Sequence, residues 1–335
     1  MSGYKWITNS RTAYKLTTMV MDITLIQSPG GNITGAIYFT YNPSGSAAYG
    51  FMALFALCTL AHIIYMFPLR SWYFINFILG GLCEVFGYYG RSKCHDNVSN
   101  LGPWILQMIL ILGAPTFLAA SVYMTLARLT VALGAEEYSM ISPRWLTKIY
   151  VLIDVLCFFS QFLGAGVQAS GDATVISIGN KVILGGLIFQ IVAFFFFLYM
   201  AWRIGSRFDK SQENHPSSLR YPELEKGWKK YFRALYAVSV LLIIRNLVRA
   251  IEYAQQASGG GFQFATRNDD GTLTYTGEHK ETIGDKEIFL YIFDAAPMFL
   301  VVLIFLIIHP GRFIKRARVV KGERLSVTEM EALTK

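Results

Sequence analysis

The chain has 335 residues, 53% of them apolar and only 16% charged, with a formal net charge of +8. Soluble domains carry about 25% charged residues spread through every helix. Here charge is excluded from long runs of about 20 residues, the length that crosses the hydrocarbon core of a bilayer. That pattern excludes an ordinary soluble domain, and the basic excess reads as attraction to anionic lipid surfaces, not nucleic-acid binding.

Residues 1–46 form an N-terminal segment whose apolar patch, Met19 to Ile26, is too short to span and lacks the apolar region of a cleavable signal. Seven apolar stretches follow, at about 47–67, 72–90, 103–130, 149–170, 182–204, 231–255 and 288–308. The prediction is an all-α, polytopic membrane protein: one seven-helix bundle over residues 47–312 with an extracellular insertion at 256–287, then a basic cytoplasmic tail at 313–335. Lys and Arg gather in 205–230 and after 309, whereas 256–287 carries more acid than base. The positive-inside rule then places the N-terminus outside and the C-terminus in the cytoplasm. The sequons at Asn32 and Asn97 fall outside, where glycosylation is expected. Of the four cysteines only Cys94 reads as lying in an exterior loop, so an intramolecular disulfide there is not expected.

Ionisable side chains at membrane depth cost roughly 3 kcal/mol each on insertion scales, so they persist when paired, wetted or used. In the sixth stretch Arg245, Arg249 and Glu252 recur at i, i+4 and i+7, one face of a helix. Asp294 interrupts the seventh stretch. The second repeats the spacing with Glu84, Tyr88 and Arg91, beside Gly80, Gly81 and Gly87, whose small size lets helices approach closely. Asp154, Gln161 and Gln168 form a stripe in the fourth, Gln190 is the polar group of the fifth, and Gln107 and Pro115 lie in the third. Alternating direction places Glu84, Gln107, Gln190, Arg245, Arg249, Glu252 and Asp294 in the outer half of the membrane, and His62, Arg128 and Asp154 in the inner half. One reading is structural: Arg249 bonds Glu252, and Arg245 bonds Asp294 or Glu84. The other is a cavity for an amphipathic ligand, in which acids meet an amine or arginines a phosphate. His62 reads as a hydrogen-bonded core histidine, His309-Pro310-Gly311 as a helix stop, and the run Phe194 to Phe197 as lipid-facing or core packing. Five histidines, with only His62 well inside a span, and no phosphate-binding loop predict no metal, no cofactor and no enzymatic chemistry.

Taken in order, Thr59-Leu60-Ala61-His62, Arg70-Ser71-Trp72-Tyr73-Phe74, Gly80-Gly81, Glu84, Gly87-Tyr88-Tyr89-Gly90-Arg91, Gln107, Ala114-Pro115, Ala119 to Met124 with Arg128, Asp154, Gln161, Gln190, Arg245, Arg249, Glu252-Tyr253, Tyr291 to Asp294 and His309-Pro310-Gly311 resemble the fungal lipid-translocating exporter family, the RTA-like seven-span proteins. The resemblance covers about residues 47–312, and the departure is loop 256–287, which is longer than the family's compact connection. It implies a plasma-membrane transporter or translocase of amphipathic lipids, such as sphingoid long-chain bases or phospholipids, conferring resistance to lipid-like toxins. Its partners are membrane lipids and its ligand-binding set is Glu84, Tyr88, Arg91, Gln107, Gln161, Gln190, Arg245, Arg249, Glu252, Tyr291 and Asp294. The alternatives are a lipid-sensing receptor or regulator of lipid asymmetry, a haem or porphyrin transporter using His62 or His309, and an intramembrane lipid hydrolase.

Overall fold

In hydrocarbon a backbone must satisfy its N–H and C=O groups within its own segment, which turns apolar stretches into helices. The computed structural model describes residues 24–27, 33–37, 43–96, 100–168, 173–214, 227–259, 264–267, 273–276 and 287–333. Its helices are α1 Gly45–Leu69, α2 Ile75–Asp96, α3 Leu101–Leu133, α4 Pro143–Gln168, α5 Ala173–Asn214, α6 Trp228–Gly259, α7 Glu287–Leu290, α8 Ala296–Ile307 and α9 Pro310–Leu333. Among the described residues, six helical segments are long and apolar enough to cross a membrane: those built on α1, α3, α4, α5, α6 and the run from α7 into α9. The remaining helix, α2, is diluted by Glu84, Arg91 and its glycines. Asn32, Asn97 and the acids Asp269, Asp270, Glu278, Glu281 and Asp285 lie outside the described residues.

Contacts run in chain order from α1 through α2, α3, α4, α5 and α6 to α8, and α8 returns to α1, closing a ring; α3 also touches α6. That central place explains why Leu118, Ala119, Val122, Tyr123 and Leu126 of α3 are fully enclosed. Outward faces carry Leu57, Ile64, Leu163 and Ile307, all exposed, as a lipid-facing surface requires. The phenylalanine run divides between the two environments: Phe194 and Phe197 pack on Tyr123, while Phe195 and Phe196 face outward.

Glycines set the closest seams. A Cβ at Gly80 would lie 3.1 Å from the Ala114 carbonyl, and one at Gly90 3.0 Å from both the Gln107 amide and the Pro103 carbonyl. Side chains at these positions would force α2 and α3 apart. Gly81 meets Thr59 of α1 in the same way. The pairing of α1 and α2 is antiparallel from end to end: His95 holds the Pro43 carbonyl (2.7 Å), and Thr59 meets Gly81 near mid-helix. Cys94, expected in an exterior loop, is buried inside α2, which runs six residues past the apolar stretch because Gly90 and Arg91 are held against α3 and α7.

Among the described residues the helical body carries one four-stranded sheet. Strands β1 (Thr24–Gln27), β2 (Ile33–Ile37), β3 (Phe264–Arg267) and β4 (Leu273–Thr276) form a sheet in the order β2-β1-β3-β4. The β1–β3 pair is parallel, with Leu25 opposite Phe264, Ile26 opposite Ala265 and Gln27 opposite Thr266. The N-terminal segment and the α6–α7 connection therefore share one sheet. At the other end α8 stops at Ile307 and the chain restarts as α9, with Pro310 at the first helical position and His309 Nδ1 accepting the Gly311 amide (3.1 Å). The His-Pro-Gly stop is thus a break between two helices. Lys315 and Arg318 of α9 donate to the Pro68 and Arg70 carbonyls, 3.1 and 3.5 Å away, orphaned at the end of α1.

Candidate functional site

The polar stripes of α2 and α6 meet the start of the last span. Asp294 sits in a π-helical turn, Tyr291–Ala295, between α7 and α8. Pro297 follows three residues later and lacks the N–H that a regular helix would use at that point, so the turn widens and the Ala296 amide reaches back to the Tyr291 carbonyl. The widened turn carries Asp294 against α6. Arg245 Nε donates to Asp294 Oδ1 at 2.6 Å and Arg249 Nη2 to Oδ2 at 2.7 Å, so one carboxylate bridges two guanidiniums. Arg249 Nη1 reaches Glu252 at 3.2 Å on its own helix.

A second proline explains the depth of Arg245. Pro115 of α3 cannot donate to the Ile111 carbonyl four residues back, and Arg245 Nη2 donates to that oxygen instead, at 3.3 Å. Arg245, Glu252 and Asp294 are buried, while the Arg249 side chain keeps 21% exposure and is the cluster's most accessible charge. Glu84 of α2 completes the group, within electrostatic reach of Asp294, Arg245 and Arg249. Glu84 is 1% exposed, and neither of its oxygens has a hydrogen-bond partner among the described residues. Tyr88 OH, Asn246 Nδ2 and Thr59 Oγ1 are likewise buried and unpartnered among the described residues.

One layer further toward the end of the bundle, Arg91 of α2 gathers three helices. It donates to Glu287 Oε1 (2.7 Å), Tyr291 OH (3.1 Å) and Gln107 Oε1 (3.4 Å). Glu287 also accepts from Tyr291 OH (3.1 Å) and from the Ser44 amide before α1, at 2.9 and 3.1 Å. Tyr88 stacks on Phe55 and Phe51, and Tyr291 on Phe51, which ties this layer to α1.

The structure therefore joins Glu84, Arg245, Arg249, Glu252 and Asp294 in one cluster, and Arg91, Gln107 and Tyr291 in the layer beside it. The sixth-helix and Arg245–Asp294 pairings foreseen as structural bonds are all present. Gln161 and Gln190 belong elsewhere. Gln190 Nε2 donates to Asp154 Oδ1 (3.2 Å) and Gln161 Nε2 to Gln190 Oε1 (3.3 Å), forming a chain between α4 and α5. Asp154 and Gln190 thus share one depth, not opposite halves; α4 starts at Pro143, six residues before the apolar stretch, which moves Asp154 to mid-helix. Sequence reasoning missed Glu287, read only as a loop acid. Its signal was present: Glu287, Tyr291 and Asp294 repeat the i, i+4, i+7 spacing of α2 and α6. His62 donates through Nε2 to the Val302 carbonyl (3.0 Å) as a core histidine, and Arg128 lies 4.5 Å over the Tyr73 ring. No group of three or more His, Cys, Asp or Glu able to hold a metal occurs among the described residues.

Fold and site together define a polytopic helical membrane protein with a charged cluster built into its core. The RTA1 like protein family model matches residues 77–265 and 272–317, more than half of the chain, which belongs to this family. The two matched stretches are separated by residues 266–271, which lie inside loop 256–287. Relatives from Saccharomyces cerevisiae include Protein RTA1, 31% identical over 297 residues (81% of this chain, 84% of the relative). Protoporphyrin uptake protein 1 is 30% identical over 232 residues, covering 69% of this chain and 67% of the relative. Sphingoid long-chain base transporter RSB1 is 30% identical over 153 residues, 45% of this chain and 40% of the relative. No solved structure matches.

Proposed function

We propose that this chain is a seven-span translocator of amphipathic lipids in the plasma membrane, moving its substrate without chemical conversion, with the head group handled by the α2–α6–α7 cluster. The observation that carries this reading is a set of five ionisable side chains on α2, α6 and the last span, four of them buried and Arg249 half-buried, in a relative of a named sphingoid long-chain base transporter. Such charges are expensive in lipid, and a pathway for a polar head group gives them a use.

Two observations support α2 as the seventh crossing. It lies antiparallel to α1 over its whole length. The parallel β1–β3 pair also joins the N-terminal segment to the α6–α7 connection, so an even number of crossings must separate them. Lys229, Lys230, Lys315, Arg316 and Arg318 then collect at the opposite end, supporting a cytoplasmic C-terminus.

In the described conformation the two arginines are bonded to acids of the same cluster, so translocation requires those pairs to part. The direct test is purified protein in liposomes carrying a fluorescent long-chain base or phospholipid in one leaflet. Faster movement to the other leaflet than in protein-free vesicles supports the reading; equal rates overturn it. A second reading, porphyrin transport, draws on the protoporphyrin uptake relative. A Soret band retained by purified protein and lost on replacing His62 or His309 would favour it.

A further inference from the structure

The cluster holds three carboxyl groups and two guanidiniums: Glu84, Glu252 and Asp294 against Arg245 and Arg249. Both arginines are engaged, since Asp294 accepts from each, Arg249 also takes Glu252, and Arg245 also takes the Ile111 carbonyl. Glu84 is the acid left over, 1% exposed and with both oxygens unpartnered. An isolated buried carboxylate is costly: it holds a proton when alone and ionises against a cation that donates hydrogen bonds to it.

The surroundings of Glu84 suit one kind of cation. Gly81, one turn before it on α2, meets the Thr59 hydroxyl, and Tyr88, one turn after it, holds its own hydroxyl enclosed between aromatic rings. Both hydroxyl oxygens are buried without partners. From Gly81 to Tyr88 these acceptors lie along roughly 10 Å of helix. A primary ammonium offers three donors and one positive charge, matching two carboxylate oxygens and a hydroxyl. A phosphate would bring further negative charge to a site whose arginines are already occupied.

Resting on the translocator reading, we infer that Glu84 is the head-group receptor of the site and selects lipids bearing a primary ammonium over phosphate, carboxylate or neutral head groups. Glu84 then determines specificity, while Arg245, Arg249, Glu252 and Asp294 hold α6 to the last span beside it. This separates the chain's expected preference from that of a carrier for a dicarboxylate such as a porphyrin.

The test measures binding of three probes to purified protein in neutral phosphatidylcholine nanodiscs: a fluorescent C18 primary amine, its N-acetylated form and the matching C18 phosphate monoester. The wild type should bind the amine about tenfold or more tighter than the other two, the ratio a charge-assisted hydrogen bond supplies. Glu84→Gln should lose that advantage, its affinity for the amine falling about tenfold to that of the N-acetyl probe. Equal wild-type affinity for all three probes would overturn the inference and leave the translocator reading standing. Binding of none, with no lipid movement in liposomes, would overturn both. If Glu84→Gln fails to fold, the wild-type probe series still decides, and Tyr88→Phe, with a smaller loss confined to the amine, supplies the residue-level arm. An unchanged amine preference in a folded Glu84→Gln protein would refute the assignment to this residue.

Discussion

Glu84 and Asp294 are carboxyl groups in the same buried cluster, yet their environments give them opposite roles. Asp294 accepts from two guanidiniums at 2.6 and 2.7 Å, so removing its charge strands both. Breaking a buried ion pair from one side costs about 3–5 kcal/mol. Asp294→Asn is therefore expected to lower the unfolding midpoint in detergent sharply and to reduce abundance in cells. Glu84 makes no hydrogen bond among the described residues, so Glu84→Gln should change stability by less than about 1 kcal/mol. Any loss of lipid movement in that variant would report function instead of folding. Arg249→Ala falls between the two: it frees Glu252 and one oxygen of Asp294, and transport should drop more than protein level. Parallel loss of both in cells would mark the arginine as a structural bond alone.

At the scale of elements, hydropathy made the apolar helices legible because nothing else satisfies a backbone in lipid. The i, i+4, i+7 stripes also pointed correctly to the facing sides of α2 and α6. Two features of the site escaped, both created by prolines acting on carbonyls that no residue pattern displays. Pro115 frees the Ile111 oxygen for Arg245, and Pro297 accompanies the π-turn that swings Asp294 toward α6. The sheet escaped because its strands are four or five residues long and sit in polar segments far apart in sequence. The α2–α3 seam was readable from its glycines, and it yields a paired test. Gly90→Ala places a methyl 3.0 Å from two backbone atoms of α3 and should destabilise by about 1–3 kcal/mol, since backbone cannot step aside. Gly185→Ala meets nothing within 4 Å and should stabilise α5 by up to about 1 kcal/mol through helix propensity. Thermal unfolding of both variants separates close packing from a general intolerance of change.

At the scale of the whole molecule, the sheet and the tail helix mark opposite ends of the bundle. Ile26 pairs with Ala265, whereas Lys315 of α9 lies on the Pro68 carbonyl at the far end of α1. Six helices, α1 to α6, separate β1 from β3, and under the proposed seven-span topology α2 crosses like its neighbours and returns the two strands to one side. Were α2 to stay at one surface, five crossings would leave the strands on opposite sides. Cysteine labelling of intact cells reads this directly. Cys58, Cys94 and Cys157 are buried and Cys83 is half-buried, so the native chain should react weakly with a membrane-impermeant maleimide. Ile26→Cys and Ala265→Cys should both react from outside, and Lys315→Cys only after the membrane is permeabilised. Labelling of Ile26→Cys and Ala265→Cys from different sides would remove the sheet and the seven-span topology together; labelling of all three from outside would move the tail and leave the sheet in place.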